Sequence, residues 1–318
     1  MSRAILIYEP DSAAHVRTYA AAITREFPGL PVVATTSRQE ALAAAPTTTA
    51  VIAKAQDVLP EFIAAMPRLD WVQALTTGID PLIALKLPRS VTVTSTRGMH
   101  APQMAELAFL LMLSLSRNAP RMFANQREAR WQRWGQNLLF GKTVTIVGVG
   151  SISEALARRC QAFGLTVLGI SSRTSADGFD ELHPRQRLRE TAGRSDFVIV
   201  LVPYTPETHH LINASVLGAM RRSAFLINIA RGNVVDELAL IEALKAGTIA
   251  GAGLDVFATE PLPAASPLWG LDNVIVTPHI GGLSDIYAEQ AVPVLVHNLK
   301  AYVAGDLAAM QNRIERAG

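Results

Sequence analysis

The first part of the chain alternates short apolar runs with stretches whose apolar residues recur at helical spacing. The runs Ala4–Tyr8, Pro31–Ala34, Ala50–Ala53, Trp71–Ala74 and Val91–Thr94 read as strands. Helical patterns lie between them, as in His15–Phe27 and Gln39–Ala45. Strands alternating with helices predict a small parallel α/β domain. A long apolar helix over 101–117 follows. A second alternating series then supplies strands at Thr143–Val147, Thr166–Ile170, Phe197–Leu201, Ala224–Ile229, Gly251–Asp255 and Val274–Thr277. One more helix, Ser284 to Ala304, comes after it. A terminal helix placed after a second sheet commonly returns to the first domain. The pattern therefore predicts an α/β protein in which residues 99–284 form a domain inserted into one made of 1–98 and 285–318.

Residues 143–173 narrow the reading. A β-branched strand runs into Gly148 and Gly150, then into a helix with Ile152, Ala155, Leu156, Cys160 and Phe163 on one face. Gly164 stops the helix and a second strand follows. This is the layout of a dinucleotide-binding βαβ unit. Gly148 permits the tight turn, Gly150 lets backbone approach a pyrophosphate, and the helix N-terminus offers free N–H groups to the anion. The third position of the fingerprint is Ser153, a small residue that can replace the usual glycine. A cofactor without a 2′-phosphate usually meets Asp or Glu after the second strand. Here Ser171, Ser172 and Arg173 stand there, two hydroxyls and a guanidinium suited to a phosphate. The expectation is NADP(H) in preference to NAD(H). The first domain has no such fingerprint after its first strand, so the second should hold the dinucleotide. Ligands of parallel sheets bind at carboxyl strand ends, which points to a site in the cleft between the two domains.

The chain has 318 residues, 49% of them hydrophobic, with a net charge of +2 and a single cysteine. The charge implies no strong field for nucleic acid or membrane. The arginines between Arg117 and Arg133, with Trp131 and Trp134, have helical spacing and suggest a helix at a domain or subunit surface. Cys160 on the buried face of its helix suits a reducing cytoplasm and a structural role. No basic segment leads into an apolar stretch at the N-terminus, so no signal peptide is expected. The longest apolar run, Leu107 to Leu115, is too short to span a bilayer. Nothing in the sequence calls for a metal.

Three late segments end predicted strands with polar residues: Arg231, Glu260 and His279. Adding hydride to a carbonyl carbon creates an alkoxide that needs a proton, and a histidine can give one near neutral pH. A carboxylate beside it fixes the ring and favours the imidazolium. An arginine can hold a substrate carboxylate and polarise the carbonyl. Singly, each residue has an ordinary structural explanation; their joint placement at one sheet edge points to catalysis.

The segments GKTVTIVGVGSI, LVPYTPETHHLIN, LINIARGNVVDELALIEALKAGTIAGAGLDVFATEPLP, SPLWGLDNVIVTPHIGG and LTTGIDPL resemble the D-isomer-specific 2-hydroxyacid dehydrogenase family. The resemblance covers most of the second domain and is thinner in the first. It implies two Rossmann-like or flavodoxin-like parallel-sheet domains. It implies that Arg231 binds the substrate carboxylate and carbonyl, that His279 is the catalytic histidine and that Glu260 is its acid partner. The turn at Thr77, Gly78 and Ile79 matches the one that receives the substrate carboxylate. Gly148, Gly150, Ser151 and Ile152 match the pyrophosphate cradle, and Pro203 and Thr208 a loop over the adenosine. Ile229, Ala230 and Asp255 match positions near the nicotinamide, and Gly281 and Gly282 leave space for the ring. Ser171 replaces the family's usual Asp, as in its NADPH-using glyoxylate and hydroxypyruvate reductases. Members are usually dimers; Phe109, Leu111, Leu113 and the Trp131 segment are the candidates here, although burial within one chain explains these residues almost as well. The favoured activity is NADPH-dependent reduction of small 2-keto acids to D-2-hydroxy acids. The alternatives are an NAD-dependent dehydrogenase of another acid, such as phosphoglycerate, and a dinucleotide-sensing protein like the family's corepressor relatives.

Overall fold

Five of the apolar runs pair into one parallel sheet. Ile5–Tyr8 (β1), Val32–Thr35 (β2), Ala50–Ala53 (β3), Trp71–Ala74 (β4) and Thr92–Thr94 (β5) lie in the order β2-β1-β3-β4-β5. Side chains alternate across it. Ile5 and Ile7 pack with Tyr19, Ile23 and Leu299 on one face, while Leu6 and Tyr8 pack with Val51, Phe62 and Val72 on the other. Both faces of β1 and β3 are covered, which is why these central strands read as unbroken apolar runs. The helix Ala13–Glu26 begins where Ser12 Oγ accepts the His15 N–H at 3.2 Å. The terminal helix Tyr287–Ala304 is tied to the same sheet by buried polar contacts. Asn298 Nδ2 donates to Gln73 Oε1 at 2.8 Å; that oxygen also accepts from Thr94 Oγ1 at 2.8 Å, and Trp71 Nε1 donates to Thr94 Oγ1 at 2.9 Å. In this computed structural model, which describes residues 3–315, the chain up to Met99 joins the segment from Ser284 onward in one unit, and His100–Leu283 forms the other.

The second unit is built on seven strands: Thr143–Val147 (β6), Thr166–Ile170 (β7), Glu181–His183 (β8), Phe197–Val200 (β9), Phe225–Asn228 (β10), Gly251–Leu254 (β11) and Val274–Val276 (β12). All pair in parallel, in the order β12-β11-β10-β9-β6-β7-β8. Successive strands are added to one side of β6 and then, from β9, to the other. This is the doubly wound order with its reversal between β6 and β9. The helix Ala101–Arg117 covers one face, with Leu107 and Leu111 among Ile146, Ile199 and Ile227. Gly253 on β11 makes room for it, since a Cβ there would lie 3.0 Å from that of Leu111.

Several local expectations are corrected. β8 was not anticipated: it is an edge strand of three residues with charged or titratable side chains at both ends. The basic segment from Arg117 to Arg133 is not one helix. Asn118 breaks it with a φ of 54°, a helix runs over Ala119–Arg127, and residues 129–139 are neither helix nor strand. Phe163 does not share the buried face of its helix; it is half exposed, with its ring 4.9 Å from that of Phe109. Phe109 and Leu111 are buried within their own unit, so their apolar character needs no partner chain. Cys160 is fully buried and its thiol is pushed up to about 12, which removes it as a nucleophile at neutral pH. Among the described residues, no helix is long and apolar enough to cross a membrane, and no cluster of His, Cys, Asp or Glu could hold a metal ion.

Candidate active site

The strand order reverses between β6 and β9, and ligands of such sheets bind beyond the carboxyl strand ends at that point. Gly148 turns there with a φ of 99°. A Cβ on it would lie 2.7 Å from Val202 Cγ1 and 2.9 Å from Leu201 O, both just past β9, so only glycine lets the chain pass this point. Gly150 is the N-cap of the helix Ser151–Ala162 and brings no side chain to its first N–H groups. A Cβ on Gly150 would meet nothing within 4 Å. Glycine backbone, open space and the uncapped start of a long helix at Ser151 and Ile152 make a cradle that fits a pyrophosphate. Ser153 does more than stay small. It is buried, and its Oγ donates to Gly148 O at 2.6 Å, closing the turn.

At the end of β7, Ser171 Oγ accepts the Arg173 N–H at 3.1 Å, and Ser172 is exposed. Arg173 reaches back to the helix that starts the cradle, where its Nη1 donates to Glu154 Oε1 at 2.8 Å. Sequence reasoning did not single out Glu154; only the return of the second strand beside the first helix reveals it. After β9, Thr208 Oγ1 donates to Pro203 O at 2.8 Å and accepts the Thr205 N–H at 2.7 Å, which folds this loop on itself. Ile229 and Ala230 follow β10 and are buried; the Ile229 side chain belongs to the core, so only its backbone is available to a ligand.

The three polar strand ends come from β10, β11 and β12. Asn228 holds the turn that carries Arg231: its Nδ2 donates to Arg231 O at 3.0 Å and its Oδ1 accepts the Ala230 N–H at 3.2 Å. Arg231 Nη1 donates to Ala230 O at 2.6 Å. The next residue, Gly232, is pressed against the following loop, where a Cβ would fall 1.9 Å from the carbonyl carbon of Phe257. That contact brings the Arg231 turn against the loop that carries Glu260. Glu260 is held from both sides. Its Oε1 accepts the Phe257 N–H at 3.0 Å, and its Oε2 lies 2.6 Å from His279 Nδ1. With Nδ1 committed to the carboxylate, Nε2 is the nitrogen left for a substrate. Both side chains are partly exposed, 47% for His279 and 35% for Glu260, so the pair is open to a ligand.

His279 has a φ of 54°, an uncommon backbone for a histidine, and Asp255 holds the loop in that shape. This carboxylate, 1% exposed, accepts from Thr277 Oγ1 at 2.6 Å, Ile280 N at 3.0 Å and Gly281 N at 2.9 Å. Three donors flanking the histidine thus converge on one acid. Gly281 is required for close packing: a Cβ would lie 2.6 Å from Leu107 Cδ2 and 2.9 Å from Asp255 Oδ2. Gly282 is braced by Gln103, whose Nε2 donates to its carbonyl at 3.3 Å, and faces His100. His100 is buried, which pushes its imidazole down to about 4 and keeps it neutral. Neither Gln103 nor His100 carries a sequence signal for this role beyond lying at the start of the apolar helix. In the first unit, Thr77, Gly78 and Ile79 follow β4 as a turn in which Thr76 Oγ1 donates to Gly78 O at 2.7 Å.

Residues 109–281 match the family described as D-isomer specific 2-hydroxyacid dehydrogenase, NAD binding domain. A glyoxylate reductase of Pyrococcus furiosus is 39% identical over 252 residues, which cover 76% of this chain and 75% of that protein. The crystal structure of a D-isomer specific 2-hydroxyacid dehydrogenase family protein from Aeromonas salmonicida superposes with a TM-score of 0.91 at 31% identity, covering 100% of both chains. A D-isomer specific 2-hydroxyacid dehydrogenase from Xanthobacter autotrophicus Py2, solved in complex with NADPH and MES, gives a TM-score of 0.82 at 31% identity over 99% of each chain. With its glycine cradle, its doubly wound sheet and its Arg231, Glu260 and His279 strand ends, this chain belongs to the D-isomer-specific 2-hydroxyacid dehydrogenase family and is an NAD(P)-dependent oxidoreductase of 2-keto and 2-hydroxy acids.

Proposed function

We propose that this protein reduces small 2-keto acids of the glyoxylate and hydroxypyruvate type to D-2-hydroxy acids, using NADPH, with His279 as the proton donor. The observation that carries the reading is the 2.6 Å contact between His279 Nδ1 and Glu260, which leaves Nε2 to face substrate. A bound nicotinamide dinucleotide supplies hydride to the substrate's carbonyl carbon. The chain's own groups do the rest. Arg231 holds the carboxylate and polarises the carbonyl. As negative charge develops on the carbonyl oxygen, the imidazolium releases its Nε2 proton to it, and Glu260 stabilises the charged ring until then. The backbone of Thr77, Gly78 and Ile79 is assigned to the substrate carboxylate.

The cofactor would lie with its pyrophosphate on Gly148, Gly150, Ser151 and Ile152. Its adenosine would lie by Pro203 and Thr208, and its nicotinamide by Ile229, Ala230, Asp255, Gly281 and Gly282. Ser171, Ser172 and Arg173 favour NADPH because they offer two hydroxyls and a cation where an acid would repel a 2′-phosphate. The NADPH complex of the Xanthobacter relative agrees with this cofactor, and the name of the Pyrococcus relative, glyoxylate reductase, agrees with the substrate class. We place the protein in the cytoplasm as a homodimer. Trp131 at 88% exposure and Phe140 at 75% are apolar surface that a second copy would cover, which sedimentation of the purified protein tests.

The deciding experiment sets NADPH and NADH against glyoxylate, hydroxypyruvate, pyruvate, phenylpyruvate and 2-ketoisovalerate, following cofactor oxidation by absorbance. Fast turnover of a small keto acid with NADPH is expected. Preference for NADH overturns the role given to Arg173. Absence of turnover with every pair overturns the reductase reading and favours a dinucleotide-sensing protein.

A further inference from the structure

The charge of Arg173 is not free for a phosphate. Its guanidinium already donates to Glu154 Oε1 at 2.8 Å, and Glu154 lies in the first turn of the helix whose N-terminus forms the pyrophosphate cradle. Glu154 is fixed there by the helix itself, its N–H donating to Gly150 O at 2.9 Å. The backbone of Arg173 is likewise fixed, its N–H held by Ser171 Oγ at 3.1 Å. The ion pair therefore joins two anchored backbones. The arginine is about half exposed and the glutamate a quarter, so the pair stands at the surface where a ligand can reach it.

We propose that Glu154 sets the cofactor preference of this protein by competing with the 2′-phosphate for Arg173. The inference rests on Arg173 being the residue that meets that phosphate. A phosphate dianion arriving at the guanidinium meets a carboxylate on the same cation. Two outcomes are open to the arginine: it keeps Glu154 and shares its remaining N–H groups, or it turns away from Glu154. The first sets like charges a few ångströms apart, and the second leaves Glu154 without its partner. Both weaken binding of the 2′-phosphate, and neither touches a cofactor that lacks it. Glu154 thus acts as a counterweight that lowers discrimination and keeps NAD(H) usable. A glutamine at 154 keeps an oxygen that can accept from Arg173 and removes only the charge.

The test is calorimetric titration of the intact protein with adenosine 2′,5′-bisphosphate and with ADP, which differ in where the second phosphate sits. In Glu154→Gln the bisphosphate should bind about three- to tenfold more tightly, the scale of an exposed charge pair acting on a dianion, while ADP stays within about twofold. Arg173→Ala should weaken the bisphosphate and leave ADP alone, and in the double variant the gain from Glu154→Gln should vanish. Unchanged bisphosphate affinity in Glu154→Gln, with Arg173→Ala still selective, overturns the competition while leaving the arginine's role intact. Weaker binding in Glu154→Gln overturns it in the other direction, making Glu154 the support that aims the guanidinium. Equal losses of both nucleotides in Arg173→Ala overturn the reading of Arg173 itself, and the competition with it.

Discussion

Replacing Asp255 by asparagine changes one atom of the clamp that shapes the His279 loop, and the structure fixes what that atom does. Oδ1 accepts from Thr277 Oγ1 and Ile280 N, and Oδ2 accepts from Gly281 N at 2.9 Å. An amide supplies only one acceptor of this kind. With its oxygen in the Oδ1 position, its NH2 group faces the Gly281 N–H, donor against donor. One bond to a charged group, worth about 1.5–3 kcal/mol, is lost, and a buried N–H is left without a partner at a further cost of about 1 kcal/mol or more. The reverse flip sets the NH2 against the Ile280 N–H and gains nothing. A net local loss of about 3 kcal/mol follows, which speeds opening of the loop by roughly 10²-fold at 1.4 kcal/mol per tenfold. Amide hydrogen exchange over residues 277–283 reads this directly. Turnover should fall by about 10²-fold as well, because His279 rides on the loop and small misplacements cost that much. Exchange in this segment as slow as in the wild type, with normal turnover, would refute the claim that Asp255 holds His279 in place.

Other outcomes follow from the same geometry. His279→Ala should lower keto-acid reduction by about 10² to 10⁴-fold while cofactor binding by fluorescence titration stays unchanged, and Glu260→Gln should show a smaller loss of the same kind. Normal rates in His279→Ala remove that residue from the chemistry. Gly148→Ala forces a side chain into a φ of 99° with Val202 2.7 Å away; it should destabilise the second unit by about 1–3 kcal/mol and weaken both dinucleotides alike in titration. His100 gives a pH dependence of stability. Burial holds its imidazole at about 4, below the ordinary 6.5, so the folded state binds the proton later than the unfolded chain. Its contribution is complete above pH 6.5 and is lost as pH falls towards 4, by about 3 kcal/mol in all. His100→Asn should flatten the urea-midpoint profile of this unit across that window; an unchanged slope removes His100 as the cause.

Most strands were legible because they are short, mainly apolar and β-branched runs, a pattern distinct from the 3.6-residue spacing of a surface helix. Glu181–His183 escaped because an edge strand of three residues with charged or titratable side chains at both ends has no such pattern. Arg231, Glu260 and His279 were legible because each interrupts an apolar run with a group able to move or bind charge. What supports them was not. Asp255 was read as a neighbour of the nicotinamide, and its three-donor clamp depends on β11 and β12 lying side by side. Glu154 and Arg173 are separated along the chain and meet only because β7 pairs with β6, next to the helix between them. The reason for glycine at 281 is likewise tertiary, since Leu107 comes from a distant helix.

The return of the terminal helix to the first sheet has a consequence for how the protein is made. Gln73, which ends the chain of bonds from Trp71 through Thr94, finds its buried partner Asn298 only after the whole of the second unit has left the ribosome. The inner unit, His100–Leu283, is continuous and can close on itself as it emerges. The N-terminal strands, although synthesised first, must wait with the Gln73 amide oxygen lacking its Asn298 donor and the Tyr287 and Leu299 side of their sheet uncovered. The earliest residues of the chain are thus the last to reach their native surroundings, and in a cell they are the part for which a chaperone would have most use.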